Sequence, residues 1–255
     1  MSVQPATSLK ARRTHGGEGS RVHDEPGYIL HATPYRETSL VLQAFTRTHG
    51  RVPLVAKGAK RPTSQLRPVL VSLQPLLLNW SGRGEVKTLT AAHWVGGQAM
   101  LKDAALLCGF YMNELLLKLT AREDPHERLF DAYTLGLADL AAGTAKAVVL
   151  RRFEHALLRE IGLGIELDRC ADGEPVEPEV LYVCIPEFGV RLARNGDDPD
   201  LQRITGRALQ AIEQADYSDP ATVAQAKPLM RGLIHHALSG RALATRQLLL
   251  DIHAL

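Results

Sequence analysis

Hydrophobic residues follow two different periodicities along the chain, and the change between them falls near residue 96. Before it, short apolar runs alternate with Gly-containing turns, which is typical of β-strands. We predict strands at residues 27–31, 40–45, 51–56, 69–73, 75–80 and 86–90. Five or so strands within about seventy residues favour a small closed barrel or sandwich.

After Gly96 and Gly97 the apolar residues recur at helical spacing. A Gly/Pro/acid-rich insertion at about 163–198 interrupts this pattern and contains one short predicted hairpin, at 180–185 and 190–193. We predict helices at 98–120, 124–140 (capped by Asp124, with Pro125 at its first position), 145–162 (capped by Thr144), 200–215, 220–238 (kinked at Pro228) and 241–253.

The predicted fold class is therefore α+β, with three segments. Residues 1–26 lack periodicity and are rich in Gly, Ser, Thr and charge, so we expect a disordered leader. Residues 27–96 form the β-module, and residues 97–255 form the helical module with its insertion. No apolar run approaches the roughly 18–20 residues that span a bilayer. Three cysteines, an odd number, favour a reducing compartment, so we predict a cytoplasmic protein.

Charge is unevenly distributed between the two modules. The β-module carries nine Lys/Arg and two acids, a net +7, whereas the whole chain has a net charge of only +2. Residues 96–255 consequently carry about −6. Such segregation indicates a polyanionic partner, with nucleic acid as the first candidate.

The sharpest local feature is the sequence Lys57-Gly58-Ala59-Lys60-Arg61, which follows the third predicted strand. Three cations in five residues suit phosphate contacts, although a solvated surface loop is the alternative. Aromatic side chains on such a barrel can stack on bases or fill its core. We expect Phe45 and Trp94 in the core and Tyr35 and Trp80 on the surface.

Motifs for catalysis and metal binding are weak. No nucleophile elbow, P-loop or set of catalytic carboxylates is evident, so we predict that the protein is not an enzyme and needs no cofactor. Cys170 and Cys184 lack a nearby Cys or His partner, so we predict no metal site.

Arg151 and Arg152 flank an apolar helix face near Tyr111 and Leu115, an arrangement that would suit an apolar peptide with an acidic end. Ordinary helix packing explains the same pattern.

Several segments together resemble the bacterial recombination mediator RecO family. They cover roughly residues 27–250 and include GYILHATPYRETSLVLQAFTRTHGRVPLVAKGAKR, LQPLLLNWSGRGEVKTL, GFYMNELLLKL, RRFEHALLREIGLGIEL and CADGEPV. The resemblance implies an N-terminal OB-fold and a helical domain with a loop insertion. It also implies DNA repair and homologous recombination: binding of single- and double-stranded DNA, strand annealing and, with RecR and RecF, loading of RecA on SSB-coated DNA. The location would then be cytoplasmic and nucleoid-associated.

Candidate site residues follow from the charge pattern for DNA and from the resemblance for the SSB tail. The expected DNA-binding residues are Arg36, Lys57, Lys60, Arg61, Arg67, Arg83 and Lys87. A site for the SSB C-terminal tail is implied on the helical domain, at Tyr111, Leu115, Arg151 and Leu158. Some members of the family hold zinc with four cysteines, a set that this chain has lost. The alternatives are an RNA-binding OB-fold assembly module and a nuclease.

Overall fold

A closed five-stranded barrel forms the N-terminal part of the protein in the computed structural model, which describes residues 21–198 and 201–245. Its strands are β1 (Arg21–Tyr35), β2 (Ser39–Thr46), β3 (Gly50–Ala56), β4 (Leu76–Ser81) and β5 (Lys87–Trp94). The barrel closes in the order β1-β2-β3-β5-β4, with β3 and β5 parallel and the other pairs antiparallel. The predicted OB-fold barrel is confirmed.

Two segments of the barrel differ from the prediction. β1 begins at Arg21, so residues 21–26 pair with β4 and are not part of a leader; residues 1–20 lie outside the described residues. The apolar run 69–73 is not a strand but the end of a long series of turns. Its Val69 and Leu70 pack against the core of the barrel, so their hydrophobicity serves to cover the barrel.

The barrel interior follows strict alternation along β4. Leu76, Leu78 and Trp80 are buried, and the residues between them are half-buried, because successive strand side chains point to opposite faces. Trp80 is only 1% exposed, whereas Trp94 at the end of β5 is 59% exposed. The expectations for these two residues were therefore wrong, and those for buried Phe45 and exposed Tyr35 were right.

Five helices follow the barrel within the described residues. They are α1 (Asp103–Leu119), α2 (Glu127–Ala141), α3 (Lys146–Glu160), α4 (Gly206–Glu213) and α5 (Pro220–Ala237), and α5 continues through Pro228. Between α3 and α4 lies a sheet of β6 (Leu181–Ile185), β7 (Gly189–Leu192) and β8 (Arg203–Thr205), in the order β7-β6-β8. The predicted hairpin is confirmed, and β8 was missed. The last predicted helix, 241–253, extends beyond the described residues.

Two helix caps also differ from the prediction. The N-cap of α2 is His126 and that of α3 is Ala145, neither of which makes a capping side-chain hydrogen bond. Asp124 and Thr144 therefore precede these helices without capping them.

One hydrophobic core joins the outer face of the barrel to the helices. The rings of Tyr28 and Phe45 lie 5.0–5.9 Å from those of Phe130 and Tyr133 on α2. Beside them, the Asn113 amide donates to the Leu30 carbonyl at 3.0 Å and accepts from the Tyr133 hydroxyl at 2.6 Å. Because these groups are buried, they fix the orientation of the barrel against the helices.

Candidate nucleic-acid interface and peptide cleft

Three of the nine cations of the β-module are used within the protein. Arg47 pairs with Asp131 of α2 at 2.9 Å, and Arg51 donates to the Thr120 carbonyl at 3.0 Å. Lys87 pairs with Glu123. These side chains hold the barrel against the helical module, so the prediction that Lys87 binds DNA is not supported by its surroundings.

The other six cations are exposed and have no ion pair with another described residue. They are Arg36, Lys57, Lys60, Arg61, Arg67 and Arg83. Exposed cations without carboxylate partners keep their charge available for an anionic ligand. Six of the seven predicted DNA-binding residues meet this requirement.

Most of these cations are carried by residues 57–75, which we call the basic loop. The loop contains Lys57, Lys60, Arg61 and Arg67 and no acidic residue. It is anchored at its start, where Ala59 is buried and the Lys60 N–H donates to the Thr38 carbonyl at 2.8 Å. That bond places the loop beside the β1–β2 turn, which carries Arg36.

Arg36 and Arg83 differ in how they relate to the basic loop. Arg36 adjoins it, and its guanidinium lies 5.2 Å from the centre of the Tyr35 ring. Arg83 lies on the β4–β5 turn, where the flanking residue Ser81 pairs with Arg21 of β1. The structure therefore gathers five of the predicted residues at the basic loop and the β1–β2 turn and leaves Arg83 on a separate turn.

A cleft of about 440 Å³ lies between α1, α3 and α5 of the helical module. Its walls are apolar, and its rim carries cations. The lining includes Leu150, Ile234, Leu238 and Leu243 among the apolar residues, and Lys227, Arg231, His235 and Arg241 among the basic ones. An apolar trough with a basic rim matches a peptide that has apolar and acidic side chains.

The floor of the cleft is a buried polar cluster on α1 and α3. The Glu154 carboxylate accepts from the Tyr111 hydroxyl and from the Arg151 guanidinium through the same oxygen, Oε1, at 2.7 Å each. Arg151 also donates to the Lys227 carbonyl at 3.2 Å. Because burial outweighs the attraction of Arg151, the pKa of Glu154 is raised to about 7.

The predicted peptide-binding residues divide into two pairs. Tyr111 and Arg151 line the cleft, although Arg151 is 9% exposed and already paired. Leu115 and Leu158 are buried in the core and do not line it, so that part of the prediction needs correction. Lys227 and Arg231 were missed. Lys227, Arg231, Ile234 and Leu238 follow one another at intervals of four, three and four residues, which places them on one face of α5.

The cysteines of the insertion show no metal site. Cys170 and Cys184 both pair with Val190 in the backbone ladder, and both are free thiols. Burial raises the pKa of Cys184 to about 12, so its thiol is protonated at neutral pH. Among the described residues, no three His, Cys, Asp or Glu side chains are placed to share a metal ion.

None of the described helices combines the length and apolarity that crossing a bilayer requires.

Comparison with known families decides where this chain belongs. The family model for the N-terminal part of recombination protein O matches residues 21–98, and that for its C-terminal part matches residues 104–246. The chain belongs to the recombination protein O (RecO) family. The N-terminal match covers the whole barrel, and the C-terminal match runs from the second residue of α1 to beyond α5 and includes the insertion.

Curated relatives from three bacteria agree with this assignment to the RecO family, and each is named DNA repair protein RecO. The relative from Ralstonia nicotianae is 54% identical over 235 residues, which cover 92% of this chain and 86% of the relative. That from Cupriavidus pinatubonensis is 51% identical, with coverages of 92% and 81%. That from Burkholderia orbicola is 52% identical, with coverages of 100% and 92%. Membership of the family assigns the chain to DNA repair and recombination.

Proposed function

We propose that this chain is a recombination mediator that binds single- and double-stranded DNA and anneals complementary strands. With RecR and RecF, it would promote loading of RecA on SSB-coated DNA at the nucleoid. The observation that carries the DNA-binding step is the basic loop, which displays four exposed cations and no acid. Its anchoring to the β1–β2 turn adds Arg36 to the same surface.

Annealing follows from this charge distribution. Two single strands repel one another through their phosphates, and a cationic surface that contacts both lowers that repulsion. Because phosphates carry no base information, binding should depend weakly on sequence and strongly on salt. The helical module has a net charge of about −6, which disfavours DNA there and leaves its surface for proteins.

The salt dependence of binding tests the basic loop directly. We expect the variant Lys57→Ala/Lys60→Ala/Arg61→Ala to bind a labelled oligonucleotide more weakly than the wild type. The slope of log affinity against log salt should fall by about 2, since each phosphate contact on a single strand contributes about 0.7. The variant should also anneal SSB-coated complementary oligonucleotides more slowly. An unchanged slope would contradict the assignment of these residues.

The cleft on the helical module is the proposed site for the SSB C-terminal tail. Its apolar walls would hold the apolar end of the peptide, and Lys227, Arg231 and Arg241 would pair with its acidic residues. We expect Lys227→Ala/Arg231→Ala to weaken binding of a fluorescent tail peptide and to leave DNA binding intact. The matched control is Arg152→Ala on α3, since Arg152 is an arginine beside Arg151 that does not line the cleft. Equal peptide affinity in all three proteins would exclude this cleft.

We also propose that the protein acts without catalysing a reaction. Incubation of labelled DNA with the protein and Mg²⁺ should leave the strands intact, whereas cleavage would indicate a nuclease. Equal affinity for structured RNA and single-stranded DNA, without annealing, would indicate an RNA-binding assembly module instead.

A further inference from the structure

Trp94 is a large aromatic side chain held on the surface at the end of β5. It is 59% exposed, although it is a large hydrophobic residue. Its indole N–H donates to the Gln74 side-chain oxygen at 3.2 Å, and Gln74 itself is buried. The ring is therefore fixed by a hydrogen bond to a buried group while much of its surface stays open to a ligand.

The chain around Trp94 forms an apolar surface. The Val95 N–H donates to the Pro75 carbonyl at 3.1 Å, and the Gln98 amide donates to the Leu73 carbonyl at 2.7 Å. These bonds fold residues 95–98 onto the end of the basic loop. Val95, the first residue of this segment, and Met100, just after it, are both exposed. A lone exposed apolar residue needs no explanation, but several along one short segment indicate a binding surface.

The same loop connects this apolar surface to the exposed cations. Residues 57–75 carry Lys57, Lys60 and Arg61 near their start and, near their end, Gln74, which orients Trp94. A ligand that uses both ends of the loop must be anionic and must present flat apolar faces. Single-stranded nucleic acid has both properties, because its phosphates are charged and the faces of its unpaired bases are open. Duplex DNA stacks its base faces internally and cannot offer them.

We propose that Trp94 stacks on an unpaired base of a single strand whose phosphates contact the cations of the basic loop. This inference rests on the proposed DNA binding and adds a residue that distinguishes single strands from duplexes. The Gln74 hydrogen bond has a positioning role, because it sets the plane of the indole before the strand arrives. The ring thus loses little freedom on binding.

The variants Trp94→Ala and Trp94→Phe test the proposal in the full chain. Binding of a fluorescein-labelled oligothymidine should weaken about tenfold in Trp94→Ala, because the variant loses the base–aromatic stack. Trp94→Phe keeps an aromatic face and should lose less. Affinity for a duplex should not change in either variant. Phe188→Ala removes an equally exposed aromatic residue from the insertion and serves as the matched control.

Tryptophan fluorescence gives a second readout that a structural role would not move. The chain has two tryptophans, and Trp80 is enclosed in the barrel. Oligothymidine should quench the emission of the wild type by stacking on Trp94, and this quenching should disappear in Trp94→Phe. Thermal unfolding of each variant checks that the barrel is intact.

The outcomes separate this proposal from the one on which it rests. If the wild type binds neither single strands nor duplexes, the proposed DNA binding fails and the stacking proposal fails with it. If the wild type binds single strands and Trp94→Ala binds them equally well, only the stacking proposal is overturned. Equal losses for single strands and duplexes in Trp94→Ala would also overturn it, since stacking on an unpaired base cannot affect a duplex.

Discussion

Glu154 should make the stability of this protein depend on pH. Its side chain is almost fully buried, and burial raises its pKa from an ordinary 4.5 to about 7. The folded state therefore binds the proton more tightly than the unfolded state. The contribution of Glu154 to the stability of the fold is most favourable below pH 4.5 and is lost as the pH rises from about 4.5 to 7. Above pH 7 the stability no longer changes with the titration of this group. The full difference is roughly 3 kcal/mol, at 1.36 kcal/mol for each pH unit.

The variant Glu154→Gln isolates this effect. The Gln side-chain oxygen still accepts from Tyr111 and Arg151, but the group no longer titrates. The substitution also leaves Arg151 with a neutral partner, which changes the free energy of unfolding by an amount that does not depend on pH. The free energy of unfolding of the wild type, relative to the variant, should therefore fall by about 2–3 kcal/mol between pH 5 and pH 8.

Urea unfolding at pH 5, 6, 7 and 8 measures this difference. Glu166→Gln is the control, because it makes the same substitution at a carboxylate that is exposed on the surface. Parallel profiles for the wild type and Glu154→Gln would refute the reasoning, since they would mean that Glu154 stays ionised in the fold.

Two further predictions concern the contact between barrel and helices. Gly50→Ala should cost at least 2 kcal/mol more than Gly143→Ala in urea unfolding. Both glycines have positive φ, but only a Cβ at Gly50 would stand 2.0 Å from the Asp124 carbonyl oxygen; equal costs would contradict the overlap. Tyr133→Phe should cost about 1–3 kcal/mol, because it leaves the buried Asn113 side-chain oxygen without its donor. Thermal unfolding with a change below about 0.5 kcal/mol would show that this bond contributes little.

The barrel could be predicted from sequence because its patterns are local. Alternation along β4 would also have placed Trp80 inside, since it shares the parity of Leu76 and Leu78. Trp94 shares the parity of buried Ala92, yet it is exposed. It lies at the last residue of β5, where the indole is not enclosed by the interior. The point at which a strand extends past the core depends on how the barrel closes in three dimensions. The alternation of side chains along the strand does not show that point.

The cleft was harder to predict because its residues come from distant parts of the chain. Tyr111 and Arg151 were identified by their type, and the face of α5 that carries Lys227 and Arg231 has a visible helical spacing. The pattern does not show that α5 packs against α3, which is what brings these residues to one cleft. Which helix packs against a given apolar face is decided by the tertiary structure. Leu115 and Leu158 were therefore predicted to lie at a surface groove, although both are buried in the core.

The cations of the barrel fall into two sets that have different uses. Two of the nine cations of the barrel, Arg47 and Lys87, pair with acids that precede or belong to α2. These pairs, with the shared aromatic core, hold the cationic barrel against the anionic helical module. Four of the other cations, Lys57, Lys60, Arg61 and Arg67, stay unneutralised on the basic loop, where an anionic strand can reach them. The attraction that joins the modules therefore uses a different set of charges from the set proposed to bind DNA.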